Sequence, residues 1–401
     1  MSGAVFYLCG RRDYTAECLA VSAHHAGIPF KPAEMGWLAS DIVPRLDEIR
    51  AHAQDRIPPG PIAGLLAGDR VSAICAAYLA ERQGLLFHSV EAMETCAQRL
   101  LARECLRAAG LQVAPAFLIS STASFEDAIH RTSFPCVLKP VRFTGGQGVM
   151  RADTPDEFHE VFHHLQGMTG IAQSEYFLVE EYIPGEECSF YGFAVAAQMN
   201  TLALFDRRSS EDGPAFQDKL LTSPSRKPKQ VSAELAYTAN LAAQAMGLCN
   251  GPVSVEMRWD GRRAIVLEVN PFLPPPAVCR ALSPRGTYSF GELMLLASAG
   301  RATPALEPSH AAGVGYLSLP GPGIFEGLDG VEAALDVDLV DEVSACLPEG
   351  GMACPPPDGN HRAAVLIARG HSASEIEASL LQAMSRLSVR MSPAQFAGAH
   401  G

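Results

Sequence analysis

Two carboxylates and one amide lie on adjacent apolar segments in the second half of the chain. Glu268 and Asn270 belong to the run IVLEVN, and Glu256 belongs to the preceding run VSVEM. Side chains two apart on a strand point to the same face, so Glu268 and Asn270 share a face. The two runs are predicted to form an antiparallel hairpin closed at Asp260 by an Asp-Gly turn of type I′, which allows Glu256 to lie opposite. Three hard oxygen donors on one face suit a Mg²⁺ ion that bridges phosphates.

A lysine followed by a glycine-rich segment is the second feature. Lys139 lies in the run PCVLKP, which is predicted to be a buried strand, where a charge is costly unless an anion neutralises it. The segment TGGQGV comes next, and its backbone N–H groups are expected to be unencumbered and suited to a polyphosphate. The residues of this segment that we single out are Gly145, Gly146, Gln147 and Gly148.

The segment YFLVEEYI is predicted to be a strand that ends in acidic residues. Around Glu180, Glu181 and Ile183 this strand end presents backbone donors and acceptors that suit a purine edge, and Glu187 is available for ribose hydroxyls. Each feature alone has an ordinary structural explanation, such as a snorkelling lysine or a glycine turn. Unpaired carboxylates on an apolar strand are harder to explain without a cation. The ordered set therefore predicts a site for a nucleotide and a metal.

The elements that must position these residues alternate between strands and helices from the start of the chain. This alternation predicts a parallel α/β sheet in the first part, without the G-x-G-x-x-G motif of a dinucleotide site. Residues 90–109 are predicted to be one long amphipathic helix stopped by Gly110. The polar stretch 205–229 is predicted to be a long loop on the active face, and the run PFLPPP after Asn270 is expected to break all regular structure. The histidines at 159, 163 and 164 are at helical spacing and are expected to line a solvated helix face.

Composition excludes several classes of function. The chain has 401 residues, of which 48% are hydrophobic and 19% charged, as in globular proteins. A formal net charge of −13 argues against a nucleic-acid partner. The eleven cysteines include no C-x-x-C pair, and neither a signal peptide nor an apolar run of membrane-spanning length is evident. We therefore expect a reduced cytoplasmic protein without membrane or nucleic-acid partners.

The segments PCVLKPVRFTGGQGV, FLVEEYIPGEECSF and VSVEMRWDGRRAIVLEVNP, in this order and spacing, resemble the ATP-grasp superfamily. The later segment GVGYLSLPGPGIFEGLDGVEAA is similar to the module that follows the grasp domain in its L-amino-acid ligase branch. The resemblance implies an α/β ATP-grasp fold, ATP and Mg²⁺ as cofactors, small-molecule carboxylate and amine substrates, and a homodimer as a common assembly. It implies four parts: an N-terminal parallel α/β (pre-ATP-grasp) domain at 1–90, a central ATP-grasp subdomain at 91–183, the ATP-grasp core with the metal hairpin at 184–305 and a C-terminal α+β module at 306–401.

The resemblance also implies a role for each residue singled out above. Lys139 and the loop 145–149 would contact the ATP phosphates, and Arg99 stands where the family has a second phosphate-binding lysine. The adenosine would be held by Glu180, Glu181, Ile183 and Glu187. One or two Mg²⁺ ions would be bound by Glu256, Glu268 and Asn270.

The main departure from the family pattern is at Phe272. Many ATP-grasp ligases read E-x-N-P-R at this point, and the arginine steadies the acyl-phosphate or tetrahedral oxyanion. This chain reads EVNPF, so another cation must take that part if the chemistry is kept. Arg280 and Arg285 are predicted to supply it. Other candidates, in the stretch predicted to be a loop, are Arg207, Arg208 and Arg226.

The resulting hypothesis is an ATP-dependent carboxylate–amine ligase that forms an amide through an acyl-phosphate. Other ATP-grasp chemistry, such as carboxylation or a cyclising ligation, is an alternative. A further alternative, from a different class, is an ATP-binding protein without catalysis. Phe272 favours that alternative, whereas the intact set of metal ligands disfavours it.

Overall fold

The computed structural model describes residues 3–10, 14–35, 43–55, 60–143, 145–168, 176–209, 215–216, 218–283, 289–301 and 310–393. The chain forms two compact units, each assembled from separate stretches of sequence. Unit 1 comprises Met1–Leu118, Glu180–Asp206 and Ser223–Ser309. Unit 2 comprises Ile119–Val179, Arg207–Thr222 and His310–Gly401.

Unit 1 begins with a small parallel sheet. Its strands are β1 (Ala4–Cys9), β2 (Phe30–Glu34) and β3 (Ile62–Ala67). They are connected and covered by α1 (Tyr14–Ala26), α2 (Leu46–Asp55) and α3 (Arg70–Gln83). The order is β2–β1–β3, and both neighbours run parallel to β1. Every residue of β1 is buried, as expected for the continuous apolar run AVFYLC in a central parallel strand. The predicted parallel α/β sheet is confirmed.

The long helix predicted at 90–109 is wrong, because two helices form there. They are α4 (Val90–Ala97) and α5 (Arg99–Ala108), and Gln98 between them is extended, with φ −95° and ψ 91°. The apolar period runs across the break without a glycine or proline, so the pattern gave no signal of it. The break makes Arg99 the first residue of a helix instead of a mid-helix residue.

The rest of unit 1 is an antiparallel sheet covered by one long helix. Its strands are β8 (Glu186–Val195), β9 (Gln198–Ser209), β11 (Gly251–Trp259) and β12 (Ala264–Asn270), and the helix is α8 (Lys229–Ala245). The strand order is β12–β11–β8–β9. Leu235, Ala239 and Ala242 of α8 recur at helical spacing and are fully buried against Val255 and Val266 of the hairpin. This packing fixes the hairpin that carries Glu256 and Glu268.

Unit 2 contains a second sheet and a helix that opens with a strong cap. The strands are β4 (Ala116–Ser120), β5 (Cys136–Pro140), β6 (Met150–Ala152) and β7 (Tyr176–Glu181), in the order β4–β7–β5–β6. The helices are α6 (Phe125–Ile129) and α7 (Pro155–Gly167). The hydroxyl of Thr154 accepts the N–H of Glu157 at the start of α7. Phe158 and Phe162 are fully buried on one face of α7, while the histidines at 159, 163 and 164 are exposed on the other, as predicted.

The C-terminal part of unit 2 has two antiparallel sheets. Its elements are β10 (Asp218–Ser223), β13 (Ala311–Leu317), β14 (Gly323–Asp329), α11 (Val331–Leu335), β15 (Val340–Ala345), β16 (Met352–Ala353), β17 (Ala364–Gly370), α12 (Ala373–Met384) and β18 (Ser388–Ser392). One sheet has the order β10–β13–β17–β15 and the other β16–β14–β18. Ile376 and Leu380 of α12 are fully buried against the first of these sheets.

Two further predictions from composition are wrong. The stretch 205–229 is not a long loop, because β9 continues to Ser209 and β10 covers Asp218–Ser223. The proline run does not exclude regular structure, because α9 (Pro276–Ala281) starts within it and α10 (Phe290–Ser298) follows. Strand pairing overrides polar composition in the first case, and proline suits the first helical position in the second. Over the described residues, no helix is long and apolar enough to cross a membrane.

Candidate functional site

The predicted hairpin forms in unit 1 and pairs its two carboxylates. Glu256 lies opposite Glu268, and Ser254 lies opposite Asn270, in the antiparallel register of β11 and β12. Directly opposite residues of such a pair have Cβ atoms about 4.5–5.5 Å apart. Glu256, Glu268 and Asn270 are all half-buried, so they are neither fully solvated nor sealed in the core. This register would allow Glu256 and Glu268 to share one cation.

The connection of the hairpin differs from the predicted two-residue turn. It is four residues long, from Asp260 to Arg263. The Asp260 carboxylate accepts the backbone N–H groups of Arg262 at 2.8 Å and of Arg263 at 2.9 Å. These backbone bonds lower the pKa of the Asp260 carboxyl. Asp260 therefore stabilises a four-residue loop by accepting its backbone N–H groups. The Asp-Gly pair, interpreted as a two-residue type I′ turn, did not indicate this longer loop.

Two arginines contact Glu268, and only one of them was predicted. Arg99 Nη1 lies 3.5 Å from Glu268 Oε2, whereas Arg70 Nη2 lies 2.5 Å from Glu268 Oε1. The side chains of Arg70 and Arg99 are 13% and 12% exposed. Burial, with the neighbouring Arg99, lowers the pKa of Arg70. Arg70 lies three residues past the carboxyl end of β3 in a parallel sheet, where ligands commonly bind, and that position was the signal for it.

The residues present fit a magnesium ion and a phosphate. A carboxylate has about four lone-pair positions, so Glu268 could contact a cation as well as the two guanidinium groups. Arg99 Nε is buried and has no hydrogen-bond partner among the described residues. A phosphate oxygen would satisfy this donor. In the described part of the chain no group of three or more His, Cys, Asp or Glu is placed to hold a metal, so the hairpin set depends on the Asn270 amide as its third donor.

Glu180 is held in a buried ion pair. Its carboxylate is 4% exposed and accepts a hydrogen bond from Arg103 Nη2. The same Arg103 donates to the carbonyl of Arg99 at 3.0 Å and to that of Leu267 at 3.4 Å. Arg103, which the sequence did not single out, thus ties α5 to β7 and β12. Because the Glu180 carboxylate is occupied in this way, a contact of this residue with a purine would come from its backbone.

A third unpredicted arginine organises the residues that follow β7. Arg258 Nη1 donates to the Ile183 carbonyl at 2.6 Å, and Nη2 lies 3.2 Å from Glu187 Oε2. Its guanidinium carbon lies 4.8 Å from the centre of the Tyr182 ring, in cation–π geometry. The Glu181 N–H donates to the Pro115 carbonyl at 3.0 Å. A purine edge cannot use the Glu181 N–H while its bond to Pro115 holds, and it would share the Ile183 carbonyl with Arg258.

Lys139 and the glycine-rich loop belong to unit 2. Lys139 is half-buried on β5, whose other residues are buried. Gly145, Gly146 and Gly148 all have positive φ, between 65° and 84°, as a tight loop of small residues requires. The backbone N–H groups of this loop were expected to be unencumbered, and for Gly148 that expectation is wrong. The Gly148 N–H donates to the Pro357 carbonyl at 2.8 Å, and Gln147 Nε2 donates to the Asp358 carbonyl at 2.8 Å.

The remaining cationic candidates lie in different places. Arg280 is half-buried in the last turn of α9, next to Cys279, which belongs to the hydrophobic cluster of α1 and α10. Arg208 lies 3.0 Å from Glu377 in unit 2, and Arg226 lies 4.0 Å from Asp206 in unit 1. Arg285 lies outside the described residues. None of these observed ion pairs involves the hairpin carboxylates.

Comparison with protein families identifies two domains. The model described as an ATP-grasp domain matches residues 132–274, and the model described as L-amino acid ligase C-terminal domain 2 matches residues 315–392. The first match spans Lys139, the glycine-rich loop and the whole hairpin. The predicted resemblance to the ATP-grasp superfamily and its L-amino-acid ligase branch is confirmed.

Two curated proteins of similar sequence are longer than this chain. An uncharacterised protein of Sinorhizobium fredii is 24% identical over 310 residues, which cover 76% of this chain and 63% of that protein. Carnosine synthase 1 of Homo sapiens is 25% identical over 219 residues, which cover 49% of this chain and 26% of that protein. The chain thus spans less than two thirds of the length of either relative.

Solved structures share the fold across nearly the whole chain. An L-amino acid ligase from Bacillus licheniformis superposes with a TM-score of 0.79 at 18% identity, covering 98% of this chain and 99% of that one. A carboxyaminoimidazole ribonucleotide synthase from Aspergillus clavatus, solved with ATP, gives a TM-score of 0.71 at 15% identity, covering 96% and 100%. The predicted α/β ATP-grasp fold is confirmed.

Proposed function

We propose that this chain, an ATP-grasp protein with an L-amino acid ligase C-terminal domain, is an ATP-dependent ligase that joins the carboxylate of one small molecule to the amine of another. The observation that carries this proposal is the pairing of Glu256 with Glu268 on one hairpin inside the region matched as an ATP-grasp domain. The match to the L-amino acid ligase C-terminal domain supports amino-acid-like substrates.

Carboxylation is the nearest rival reaction. The carboxyaminoimidazole ribonucleotide synthase shares the fold with a TM-score of 0.71, against 0.79 for the L-amino acid ligase. Fold similarity at these identities does not separate the two reactions, because one fold supports many chemistries. The C-terminal domain match does separate them, since it covers residues 315–392 outside the ATP-grasp domain and carries the ligase description. It favours amide formation.

The phosphates of ATP are assigned to Arg99, Lys139 and the glycine-rich loop, as the resemblance to the ATP-grasp superfamily implies. Arg99 in unit 1 has a buried Nε without a partner among the described residues, and a phosphate oxygen completes its hydrogen bonding. Lys139 is half-buried on the apolar strand β5, and the family pattern assigns it to the phosphates. Gly145, Gly146, Gln147 and Gly148 are assigned as the loop that covers the phosphates. In the present conformation Gly148 must exchange its bond with Pro357 before its N–H binds a ligand.

The adenosine and the metal are assigned to unit 1. The strand end formed by Glu180, Glu181 and Ile183 is proposed to contact adenine through its backbone, and Glu187 the ribose. Glu256, Glu268 and Asn270 are proposed to hold Mg²⁺, because carboxylate and amide oxygens are its preferred protein ligands. When bound, Mg²⁺ offsets the charge of the phosphates during transfer.

The reaction proceeds in two steps that need no covalent bond to the protein. A substrate carboxylate oxygen bonds to the γ-phosphorus while the bond from that phosphorus to the β–γ bridging oxygen breaks, giving an acyl-phosphate and ADP. The amine nitrogen then bonds to the acyl carbon, loses a proton and displaces inorganic phosphate. The chain contributes by positioning the reactants and by stabilising negative charge, for which the sequence pointed to Arg280 and Arg285. We include a homodimer, common in the superfamily, as the proposed assembly.

The proposal is tested by screening pairs of amino acids and amines for ADP formation with Mg²⁺ and ATP, and by identifying products with mass spectrometry. We expect equal amounts of ADP, phosphate and a product lighter than its two precursors by one water. Bicarbonate-dependent ADP formation, with a product heavier by carbon dioxide, would instead support carboxylation. ATP binding without ADP formation on any pair would support the non-catalytic alternative.

A further inference from the structure

The exit of the metal hairpin is joined to the N-terminal sheet of unit 1. The Leu273 N–H donates to the Ala67 carbonyl at 3.0 Å, at the last residue of β3. Phe272 packs against the hydrophobic cluster that includes Leu65 and Val71, on either side of that strand end. The residue that replaces the family's arginine is thus half-buried against the cluster that contains residues of β3 and α3.

The first residue of α3 is held in place by its cap. One oxygen of the Asp69 carboxylate accepts the Ser72 N–H at 2.8 Å, and the other accepts the Gly10 N–H at 2.9 Å and the Ser72 hydroxyl at 2.7 Å. The cap anchors the backbone on both sides of the turn. The backbone that carries Arg70 is therefore held in place. This lowers the conformational entropy that is lost when its long side chain is positioned.

Arg70 reaches from this point to the hairpin. Its Nη2 lies 2.5 Å from Glu268 Oε1, across 198 positions of sequence. A cation that Glu268 binds has its oxygen ligands, including any phosphate oxygen, at about 2.0–2.1 Å if it is Mg²⁺. A phosphate held by such a metal would lie close to Glu268, and Arg70 would be the guanidinium on the same carboxylate.

We propose that Arg70 supplies the cation that the hairpin exit lacks at Phe272, and that it stabilises the negative charge of the acyl-phosphate and of the transition state leading to it. Arg70 is thereby a catalytic residue of the proposed ligase, and this assignment rests on the proposed function. Its charge acts while the substrate carboxylate oxygen bonds to the γ-phosphorus and ADP departs. The cation of the family pattern has moved from the hairpin to the start of α3.

The test separates the charge of Arg70 from its hydrogen bond to Glu268. Arg70→Gln keeps a donor toward Glu268 but removes the charge, and Arg70→Lys keeps the charge without the planar fork. The matched control is Arg50→Gln, in the same N-terminal part, where a guanidinium makes two hydrogen bonds to Glu94 at 2.8 and 2.6 Å. Three quantities are measured: the ATP dissociation constant by calorimetry, substrate-dependent ADP formation, and the hydroxamate formed when hydroxylamine traps the acyl-phosphate.

We expect Arg70→Gln to lower ADP and hydroxamate formation by about 10²–10³, as loss of a preorganised oxyanion donor does. Its ATP dissociation constant should change by less than about threefold, because the loss falls on the transition state. Arg70→Lys should be at least about tenfold more active than Arg70→Gln, because it keeps the charge. Arg50→Gln should have the activity of the parent chain. Arg70→Gln with turnover within about threefold of the parent overturns the proposal, as does an equal activity loss in Arg70→Lys and Arg70→Gln.

Two further outcomes are informative. If Arg70→Gln does not fold, Arg70→Lys decides: a folded lysine variant with at least about a hundredth of parent turnover supports the proposal, and one below that overturns it. If Arg280→Ala loses turnover while Arg70→Gln keeps it, Arg280 is the cation and the proposal for Arg70 fails. The proposed function is judged separately, by whether the parent chain itself forms an amide product, since ADP formation reports on Arg70 in either case.

Discussion

At the scale of single residues, Glu268 carries two guanidinium contacts and, under the proposed function, a metal ion as well. Glu268→Gln removes the negative charge but keeps the size of the side chain. We expect it to abolish ADP formation, because an amide oxygen is a weaker Mg²⁺ ligand and Arg70 and Arg99 lose their counter-charge. The measurement is ADP formation over a range of Mg²⁺ concentrations, together with a thermal melting curve.

Asp341→Asn is the matched control for this variant. Asp341 makes a 2.5 Å contact with Arg369 and its side chain is 25% exposed, against 24% for Glu268. Both substitutions thus remove the charge of an equally buried carboxylate paired with an arginine. Activity lost in both variants, or retained in Glu268→Gln, would contradict the metal assignment.

Lys139 tests the nucleotide assignment. Lys139→Ala should raise the ATP dissociation constant about ten- to a hundredfold, since a partly buried charged contact is worth about 1.5–3 kcal/mol. Calorimetry gives the constant directly, and Lys229→Ala, at an exposed helix start, controls for the loss of a lysine from the chain. Unchanged ATP affinity in Lys139→Ala would return this lysine to a structural role.

At the scale of elements, His88 joins the segment before α4 to the start of β11. Its Nε2 donates to the Pro252 carbonyl at 3.0 Å and its Nδ1 accepts the Asn250 N–H at 3.3 Å, which together fix the neutral tautomer. Burial lowers the pKa of His88 to about 4 from its ordinary 6.5. Between these values the unfolded chain binds a proton that the folded chain excludes, so stability falls as pH decreases from about 6.5 towards 4.

This linkage predicts a loss of about 2 kcal/mol in the free energy of unfolding between pH 7 and pH 5 from His88 alone. His88→Gln keeps a donor for the Pro252 carbonyl but does not titrate. Urea unfolding of both proteins at the two pH values isolates the histidine, because all other titrating groups are shared. Parallel pH dependence of the two proteins would show that His88 does not govern acid stability.

The glycine-rich loop offers a matched pair of substitutions. Gly146 and Gly148 both have positive φ, but a Cβ on Gly148 would lie 2.7 Å from Pro140 Cγ, whereas one on Gly146 meets nothing within 4 Å. Each alanine costs about 1–2 kcal/mol for its backbone conformation, and overpacking adds about 1–3 kcal/mol at Gly148 alone. In urea unfolding, Gly148→Ala should therefore have a lower free energy of unfolding than Gly146→Ala. Equal free energies would show that the loop relaxes away from β5.

Elements with a strong periodic signal were predictable, whereas those that depend on distant pairing were not. The buried run of β1 and the hairpin of β11 and β12 follow from local pattern and turn residues. The break at Gln98 does not follow from local pattern, because no local residue marks it. The extension of β9 to Ser209 does not follow either, because pairing with another strand produces it.

At the scale of the whole molecule, the order of motifs predicted the fold, but the arginines around them required three dimensions. The pairs Arg70–Glu268 and Arg103–Glu180 join residues 198 and 77 positions apart, and no spacing rule connects them. In the sequence, only the positions of the two arginines hinted at function: Arg70 lies after β3, and Arg103 lies one turn into α5. The sequence alone therefore directed attention to Arg280 and Arg285 as cations and away from Arg70.

The cysteines give a prediction for the entire chain. All eleven lie among the described residues, where none forms a disulfide bond, and six of them are buried. Burial raises the pKa values of Cys75, Cys96 and Cys136 to about 12, and that of Cys346 to about 11, although part of the Cys346 residue reaches the surface. Because the thiolate is the reactive form, exposed Cys249 should be the fastest to react.

Titration with a thiol-specific disulfide reagent at pH 8 tests this expectation. The native protein should show one fast thiol that is lost in Cys249→Ser and kept in Cys346→Ser, while the unreduced protein in denaturant should show all eleven. A count below eleven in denaturant would reveal a disulfide and contradict a fully reduced chain. If the fast phase is lost in Cys346→Ser instead, Cys346 is the reactive thiol. Its pKa in the native protein would then lie near the unperturbed thiol value of about 8.5, and burial would not protect it.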